Sequence, residues 1–180
     1  IYTPNTYGFA KVFPDTDVIT GEYVLSSTDE DLNHVQLIDE DRTAIVSDRS
    51  SSMIYAYDTV TKTNLWTCGL MGTIPMYDLD GSLLSDNDSL FLGQHNAEYF
   101  GLNEYYIFDN NYDINSVSQD QGRSRLVIVD INYPHNATLL WEYDLPGFTS
   151  VYGENDRLPS SNMLSVWWPS TLNKVSGAYD

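Results

Sequence analysis

Two histidines and one arginine are the residues of this chain whose types and spacing could support group-transfer chemistry. His34 opens a stretch that ends fifteen residues later at Arg49, and His95 opens a second stretch of equal length that ends at Asn110. A neutral imidazole is a competent nucleophile near neutral pH. A guanidinium and a second imidazole can stabilise anionic oxygens, as cationic side chains do in phosphoryl transfer. The three side chains can act together only if the fold brings them to one point.

The equal spacing belongs to a longer repeat, and the repeat indicates which elements position these residues. A third copy begins near Glu154, which takes the place of the histidine. Each unit contains short runs rich in Val, Ile, Tyr and Trp between Asp, Asn, Gly and Pro turns, a pattern typical of four antiparallel strands. No segment has helical periodicity with caps. A four-stranded unit repeated around an axis is a β-propeller blade, so we predict an all-β propeller with the histidines near its axis.

The repeat divides the single propeller region, residues 1–180, into four parts. Residues 33–69 and 95–146 each form a blade, residues 1–31 are the end of a preceding blade, and residues 152–180 start a further one. That amounts to about three to three and a half blades, whereas closed propellers have about 4–8. We therefore expect an incomplete portion of a propeller whose open edges contact further protein or an assembly.

The composition is strongly acidic, with 26 acidic and 8 basic residues and a formal net charge of −18. Such a surface repels phosphate backbones and anionic lipids, so we expect no nucleic-acid partner and no membrane insertion. Carboxylates between Asp78 and Asp88 could contact calcium, but their spacing does not complete an EF-hand loop. We predict no metal site and no cofactor.

Cysteine usage and two glycosylation sequons bear on the compartment. Cys68 is the only cysteine, which excludes an internal disulfide, and it is predicted to be buried. The sequons place candidate glycosylation sites at Asn87 and Asn136, both in predicted turns. They favour an extracellular or secretory location, whereas the single cysteine leaves the compartment open.

Two further pairs of residues have predicted structural roles. Trp66 and Trp141 occupy equivalent places in the repeat and are predicted to be blade core. Arg123 and Arg125 flank the start of a strand and are predicted to be surface partners of a carboxylate such as Asp109.

An ordered set of motifs from about Asn33 to Trp168 resembles the arylsulfotransferase family. Its members read Gln-His-Asp, Phe-Asp-Asn-Gly, Ser-Arg and Trp-Glu-Tyr in this order, and an upstream segment reads His-x-Asn, Ser-x-Arg and Trp-x-x-Gly-Gly. The corresponding residues here are Gln94-His95-Asn96, Phe108-Asp109-Asn110, Ser124-Arg125, Trp141-Glu142-Tyr143, and upstream His34, Ser47-Asp48-Arg49 and Trp66-Thr67-Cys68-Gly69. Two departures from the pattern are Gln36, where an asparagine is expected, and Asn96, where an aspartate is expected.

The resemblance implies a six-bladed propeller with its active site at the central channel. It implies an aryl-sulfate sulfotransferase that moves a sulfuryl group from a small aromatic sulfate ester to a phenol acceptor without a nucleotide donor. By the same resemblance, His95 is the histidine that becomes sulfated, and His34 and Arg49 bind the transferred group.

A second hypothesis requires no catalysis. The chain would then be a structural or binding propeller module of an extracellular glycoprotein or assembly, with His34 and His95 lining a wet channel. Arg49 would pair with a nearby acid such as Asp48. The sequence leaves both hypotheses open, and convergence of the three residues on one point would favour the enzyme.

Overall fold

The computed structural model describes residues 2–5, 8–13, 18–24, 31–112, 122–158 and 163–166. These residues form β-strands joined by turns, which confirms the predicted all-β class, and none of them belongs to a helix that could cross a membrane. The fourteen strands are β1 (Tyr2–Asn5), β2 (Gly8–Phe13), β3 (Val18–Val24), β4 (Leu32–Ile38), β5 (Thr43–Asp48), β6 (Met53–Asp58), β7 (Thr63–Gly69), β8 (Met76–Tyr77), β9 (His95–Tyr99), β10 (Glu104–Asp109), β11 (Arg125–Asn132), β12 (Asn136–Asp144), β13 (Glu154–Arg157) and β14 (Met163–Val166).

Strands β4 to β7 form a four-stranded antiparallel sheet, called the first sheet below, in which the strands follow their order in the sequence. Every residue of β5 is buried, because both faces of the sheet are covered. Ile45 packs towards the strands of residues 95–144, and Val46, on the opposite face, lies in a cluster with Phe9. Burial of each such side chain contributes about 1.5–3 kcal/mol. The four-stranded antiparallel sheet that the sequence predicted in this part of the chain is present.

The second sheet has five strands, in the order β8-β12-β11-β10-β9. Its four antiparallel strands cover the predicted unit at residues 95–146, but β8 adds a short parallel strand that the sequence did not predict. Met76 pairs with Ala137 there, and Ala137 also donates its backbone N–H to the carbonyl of Pro75. The segment that joins the two sheets thus covers part of β12, the outer edge of the second sheet, which would otherwise expose unpaired backbone groups.

The matched histidine spacing corresponds to matched strand register. His34 pairs with Ser47 in the first sheet and His95 pairs with Phe108 in the second, so both histidines lie opposite equivalent residues of the neighbouring strand. The repeat therefore places the histidines in structurally equivalent backbone positions.

A buried aspartate at the end of the second strand of each unit fixes the start of the strand that carries the histidine. The carboxylates of Asp48 and Asp109 each accept a backbone N–H from seventeen residues earlier and another from two residues later, at 2.8–3.0 Å. Hydrogen bonds to a charged group contribute about 1.5–3 kcal/mol each. In both sheets, these bonds fix the backbone that precedes the histidine in the same way.

The two equivalent tryptophans differ in burial, so the prediction that both are core is wrong for Trp141. Trp66 is 9% exposed and meets Tyr105 of the second sheet edge-to-face, with ring centroids 5.9 Å apart. Trp141 is 41% exposed and stacks on Tyr143 of its own strand. The second sheet covers Trp66, whereas the described part of the chain places no sheet over Trp141.

Two other predictions about individual residues are confirmed. Cys68 is a buried free thiol. Arg125 forms an ion pair with the buried Asp109 at 2.6 Å and a second with Glu142 at 2.7 Å. Arg123 is exposed.

The predicted end regions are described only in part. Strands β1 to β3 form a three-stranded antiparallel sheet, and β13 and β14 form a two-stranded ribbon. The rest of residues 1–31 and 152–180 lies outside the described residues, and the blade boundaries and blade count remain predictions.

Candidate active site

The two histidines lie on neighbouring strands of different sheets. His34 is on β4 and His95 is on β9, and these strands pack against each other. The side-chain amide of Asn33 donates to the backbone carbonyl of the residue before His95 at 2.8 Å. Further along β4, the amide of Gln36 pairs with both backbone groups of Tyr99, at 2.7 and 3.1 Å. The strands are therefore tied together on both sides of the histidines.

Gln94 anchors His95 to the first sheet. Its side chain is fully buried, and its Nε2 lies within hydrogen-bond distance of the Ser47 hydroxyl and of the backbone carbonyls of Asp48 and Met53, at 2.9–3.2 Å. Leaving this buried amide without acceptors would cost about 1–3 kcal/mol of folding free energy. The position of the Gln94 side chain is therefore well defined. Gln94 belongs to the Gln-His motif, but nothing in the motif indicates that its side chain anchors the two sheets to each other.

Arg49 pairs with an acid, as the non-catalytic hypothesis expected, but the acid is Asp31 rather than Asp48. Three contacts hold its guanidinium. Its Nε donates to Asp31 Oδ2 at 2.6 Å and its Nη1 donates to the backbone carbonyl of Ser150 at 2.9 Å. The guanidinium also lies over the ring of Tyr112, 5.8 Å from its centroid. Asp48 is not its partner because that carboxylate accepts backbone N–H groups and serine hydroxyls of its own turn.

The electrostatic environment keeps both imidazoles neutral near pH 7. Burial, and next the positive charge of Arg49, lower the pKa of His95 to about 4, against the opposing charge of Asp31. Burial also lowers the pKa of His34 to about 4, with Asp156 acting in the opposite direction. A neutral imidazole retains a nitrogen lone pair that can attack an electrophile.

The three predicted site residues are close enough to affect one another. Arg49 and His34 both contribute to the lowered pKa of His95. The structure therefore brings His34, Arg49 and His95 together, and their catalytic roles remain predictions.

Glu98 joins this cluster, and the sequence analysis assigned it no role. Its Oε1 lies 3.9 Å from Nε2 of His34, too far for a hydrogen bond. Burial first, then the negative charges of Asp156 and Glu154, raise the pKa of the Glu98 carboxyl to about 7. Because the pKa of His34 is low, this contact is not an ion pair at neutral pH.

A β-bulge at Asn96 explains why Glu98 was missed. His95 pairs with Phe108, and Ala97 pairs with Ile107, the residue before Phe108 on β10. Asn96 therefore has no pairing partner on β10 and is an extra residue of β9. Its φ of 46° lies in the left-handed region that asparagine tolerates well. The bulge places Glu98, rather than Ala97, on the same face as His95.

Asn96 also links the second sheet to the following ribbon. Its side chain is buried, and its amide donates to the backbone carbonyl of Asn155 on β13 at 2.6 Å. An aspartate, which the family pattern has at this position, would lack this donor. The departure therefore has a structural role here.

The predicted glycosylation sites lie in two other parts of the fold. Asn87 is exposed in a turn and lies at a cavity of about 540 Å³ lined by residues 69, 71–76 and 83–87. Asn136 is half-buried and begins β12, whereas the sequence predicted a turn. Attachment of sugar at either residue remains a prediction.

Comparison with known proteins gives a family for this arrangement. No curated protein matches the sequence significantly. The family model described as Arylsulfotransferase (ASST) matches residues 24–167, a range that contains His34, Arg49 and His95. The chain belongs to the arylsulfotransferase (ASST) family.

Proposed function

We propose that this protein is an aryl-sulfate sulfotransferase that carries a sulfuryl group on His95. The observation that supports this most strongly is the position of a neutral, partly buried imidazole beside a guanidinium that is fixed by Asp31 and Ser150. The imidazole can attack sulfur, and the guanidinium can stabilise the charge that the sulfuryl oxygens carry in the transition state.

The reaction has two displacement steps. In the first, a ring nitrogen of His95 forms a bond to sulfur, and the bond between sulfur and the aryl oxygen breaks with its electron pair going to that oxygen. In the second, the oxygen of a phenol acceptor attacks the sulfur and the nitrogen–sulfur bond breaks, which restores the imidazole. A covalent intermediate of this kind divides one difficult transfer into two easier ones.

Arg49 is suited to hold the sulfuryl oxygens. Its Nε and Nη1 donate to Asp31 and to the Ser150 carbonyl, which fixes the plane of the guanidinium. Within the described residues no acceptor lies within hydrogen-bond distance of Nη2, so its two N–H groups are available to an anionic ligand. A preorganised donor of this type contributes most where charge develops.

His34 provides the second polar contact of the proposed site. Its Nε2 is buried and has no hydrogen-bond partner among the described residues. A buried polar atom without a partner is costly unless a ligand or water satisfies it. A sulfuryl oxygen or an aryl oxygen beside His95 would satisfy this nitrogen.

Two observations favour the non-catalytic alternative, of which the first is that Arg49 pairs with an acid, Asp31. Trp141 and Tyr143 form an exposed aromatic stack on β12, and such side chains are common at protein interfaces. We propose that this face contacts further protein, either another part of the propeller or an assembly partner. The contact is compatible with both hypotheses.

Incubation with 4-nitrophenyl sulfate and a phenol acceptor tests the enzyme hypothesis. We expect release of nitrophenol and, when the acceptor is omitted, sulfate on the peptide that contains His95. His95→Ala should abolish both signals, whereas His135→Ala should change neither, because His135 is exposed in a turn. If the unaltered protein releases no phenol from several aryl sulfates and carries no sulfate on His95, the catalytic hypothesis fails and the structural-module hypothesis stands.

A further inference from the structure

Glu98 and Gln36 occupy equivalent places in the two sheets but make different contacts. Gln36 pairs with Ile45 on the second strand of its sheet, and Glu98 pairs with Tyr106 at the equivalent position of its own. The amide of Gln36 binds the backbone of the neighbouring sheet. The carboxyl of Glu98 forms no such bond with the ribbon next to it, within the described residues, and instead approaches His34. A structural tie in the first sheet is therefore replaced by an ionisable group in the second.

The spacing between Glu98 and His95 suits a group transferred between them. Both residues lie on one face of β9, opposite Tyr106 and Phe108, which are two positions apart along β10. At about 3.3 Å per residue, this places their Cα atoms about 7 Å apart along the strand. Because the two side chains project from the same face of one strand, both can contact a group bound beside that face, with the aryl oxygen on the side of Glu98.

The groups that face Glu98 come from three neighbouring strands. His34 approaches from β4, Tyr106 lies opposite it on β10, and Glu154 and Asp156 act on it from β13. Arg157, also on β13, lies over the ring of Tyr106. Partial burial first, and then the nearby acids, raise the pKa of Glu98 to about 7, so its carboxyl can both give and accept a proton at neutral pH.

We propose that Glu98 is the acid–base residue of the sulfuryl transfer, giving a proton to the departing aryl oxygen and taking one from the incoming phenol. This inference rests on the proposed function. His34, whose Nε2 is 3.9 Å from the carboxyl, lies close enough for both side chains to contact the same bound group. General acid–base catalysis of this kind contributes about 10²–10⁴-fold to a rate.

The proton and charge balance closes in both steps. In the first, neutral His95, protonated Glu98 and the aryl sulfate monoanion give N-sulfated His95, which is a zwitterion, together with the Glu98 carboxylate and a neutral phenol. One negative charge is present before and after. In the second, the acceptor phenol transfers its proton to the Glu98 carboxylate as its oxygen attacks sulfur, which regenerates both residues and releases a new aryl sulfate.

Replacement of Glu98 by the residue type of its repeat partner provides the test. Glu98→Gln keeps the shape of the side chain and removes the proton donor, and the two donors to compare are 4-nitrophenyl sulfate and phenyl sulfate. Nitrophenolate leaves readily without a proton, whereas phenolate does not. In single-turnover measurements without acceptor, which report only the first step, we expect Glu98→Gln to retain nitrophenol release within about 5-fold. Phenol release should fall by on the order of 10²-fold or more.

Each other outcome has a distinct meaning. Equal losses with both donors, or no loss with either, would overturn the assignment of Glu98 while leaving the sulfotransferase activity intact. No release by the unaltered protein would overturn the proposed function and this inference together. If Glu98→Gln does not fold, Glu98→Asp serves instead, because it keeps the acid and should restore part of the phenol release. A fully inactive Glu98→Asp with native thermal unfolding would contradict the acid–base role.

Discussion

Nε of Arg49 donates to Oδ2 of Asp31 at 2.6 Å, and the charges of both residues act on the imidazole of His95. A second contact, from Nη1 of Arg49 to the Ser150 carbonyl, spans 101 residues of sequence. The position of Arg49 is thus determined by two distant segments, which is consistent with a site that must place its charge accurately.

The first prediction concerns removal of this charge. Arg49→Ala should reduce kcat/KM for an aryl sulfate by on the order of 10²–10³-fold, because a preorganised donor to the developing charge is lost. Arg49→Lys should recover little of this loss, since an ammonium cannot make the same planar contacts. Steady-state kinetics with 4-nitrophenyl sulfate measures both.

A matched control is available on the surface. Arg123 is exposed, and Arg123→Ala removes one positive charge from the same acidic chain. Equal rate losses for Arg123→Ala and Arg49→Ala would show that Arg49 acts through net charge alone.

The second prediction concerns the titration of His95. The carboxylate of Asp31 raises the pKa of His95 and the guanidinium of Arg49 lowers it. Asp31→Asn should therefore lower the pKa of His95 further below its value of about 4, and Arg49→Gln should raise it towards the ordinary 6.5. Imidazole NMR signals followed against pH measure these shifts. Asp86→Asn, in an exposed turn, should leave the titration unchanged, and shifts of the opposite signs would contradict the geometry.

The third prediction concerns the pH dependence of the rate. His95 must be neutral to attack, so kcat/KM should rise as the pH increases through about 4 and then stay level for 4-nitrophenyl sulfate. Phenyl sulfate also requires the Glu98 proton, so its rate should fall again as the pH rises through about 7. Glu98→Gln should lack this upper limb. Identical profiles for the two donors would contradict the role of Glu98.

The sequence predicted the parts of this structure that depend on periodicity. The equal spacing that begins at His34 and His95 indicated equivalent strands, and the register opposite Ser47 and Phe108 agrees. The prediction of strands followed from short runs rich in β-branched and aromatic residues between turns. These are local properties of the chain.

The other features of the site depend on contacts between segments that are distant in sequence. The spacing of residues along the chain carries no information about such contacts. The bulge at Asn96 is stabilised by the carbonyl of Asn155, and it decides that Glu98 shares a face with His95. The partner of Arg49 could not be predicted either, because Asp48, its neighbour in sequence, is occupied by its own turn. Burial of Trp141 was predicted wrongly since its surroundings differ from those of its repeat partner.

The fourth prediction concerns stability against pH. The pKa of Glu98 is about 7 in the folded protein and about 4.5 ordinarily, so the folded state binds more protons between these values. The stabilisation associated with this carboxyl is complete below pH 4.5 and is lost as the pH rises through 7. The unaltered protein should therefore lose stability relative to Glu98→Gln when the pH is raised from 5 to 8, as denaturant titrations at both values would measure.

His34 and His95 act in the opposite direction, which is why the comparison must be made with the variant. Their pKa values are lower in the folded protein, so their contribution is present above pH 6.5 and is lost as the pH falls towards 4. The difference between the unaltered protein and Glu98→Gln cancels these contributions. Parallel stability profiles for the two proteins would contradict the raised pKa of Glu98.

The fifth prediction compares the two equivalent tryptophans. Trp66 is 9% exposed and packs on Tyr105, so Trp66→Ala should lower the free energy of unfolding by about 3–5 kcal/mol. Trp141 is 41% exposed, and Trp141→Ala should cost about 1 kcal/mol or less. Denaturant unfolding of the two variants measures the difference. Equal losses would mean that Trp141 is buried against another part of the protein or a partner, as expected if the face of β12 contacts further protein.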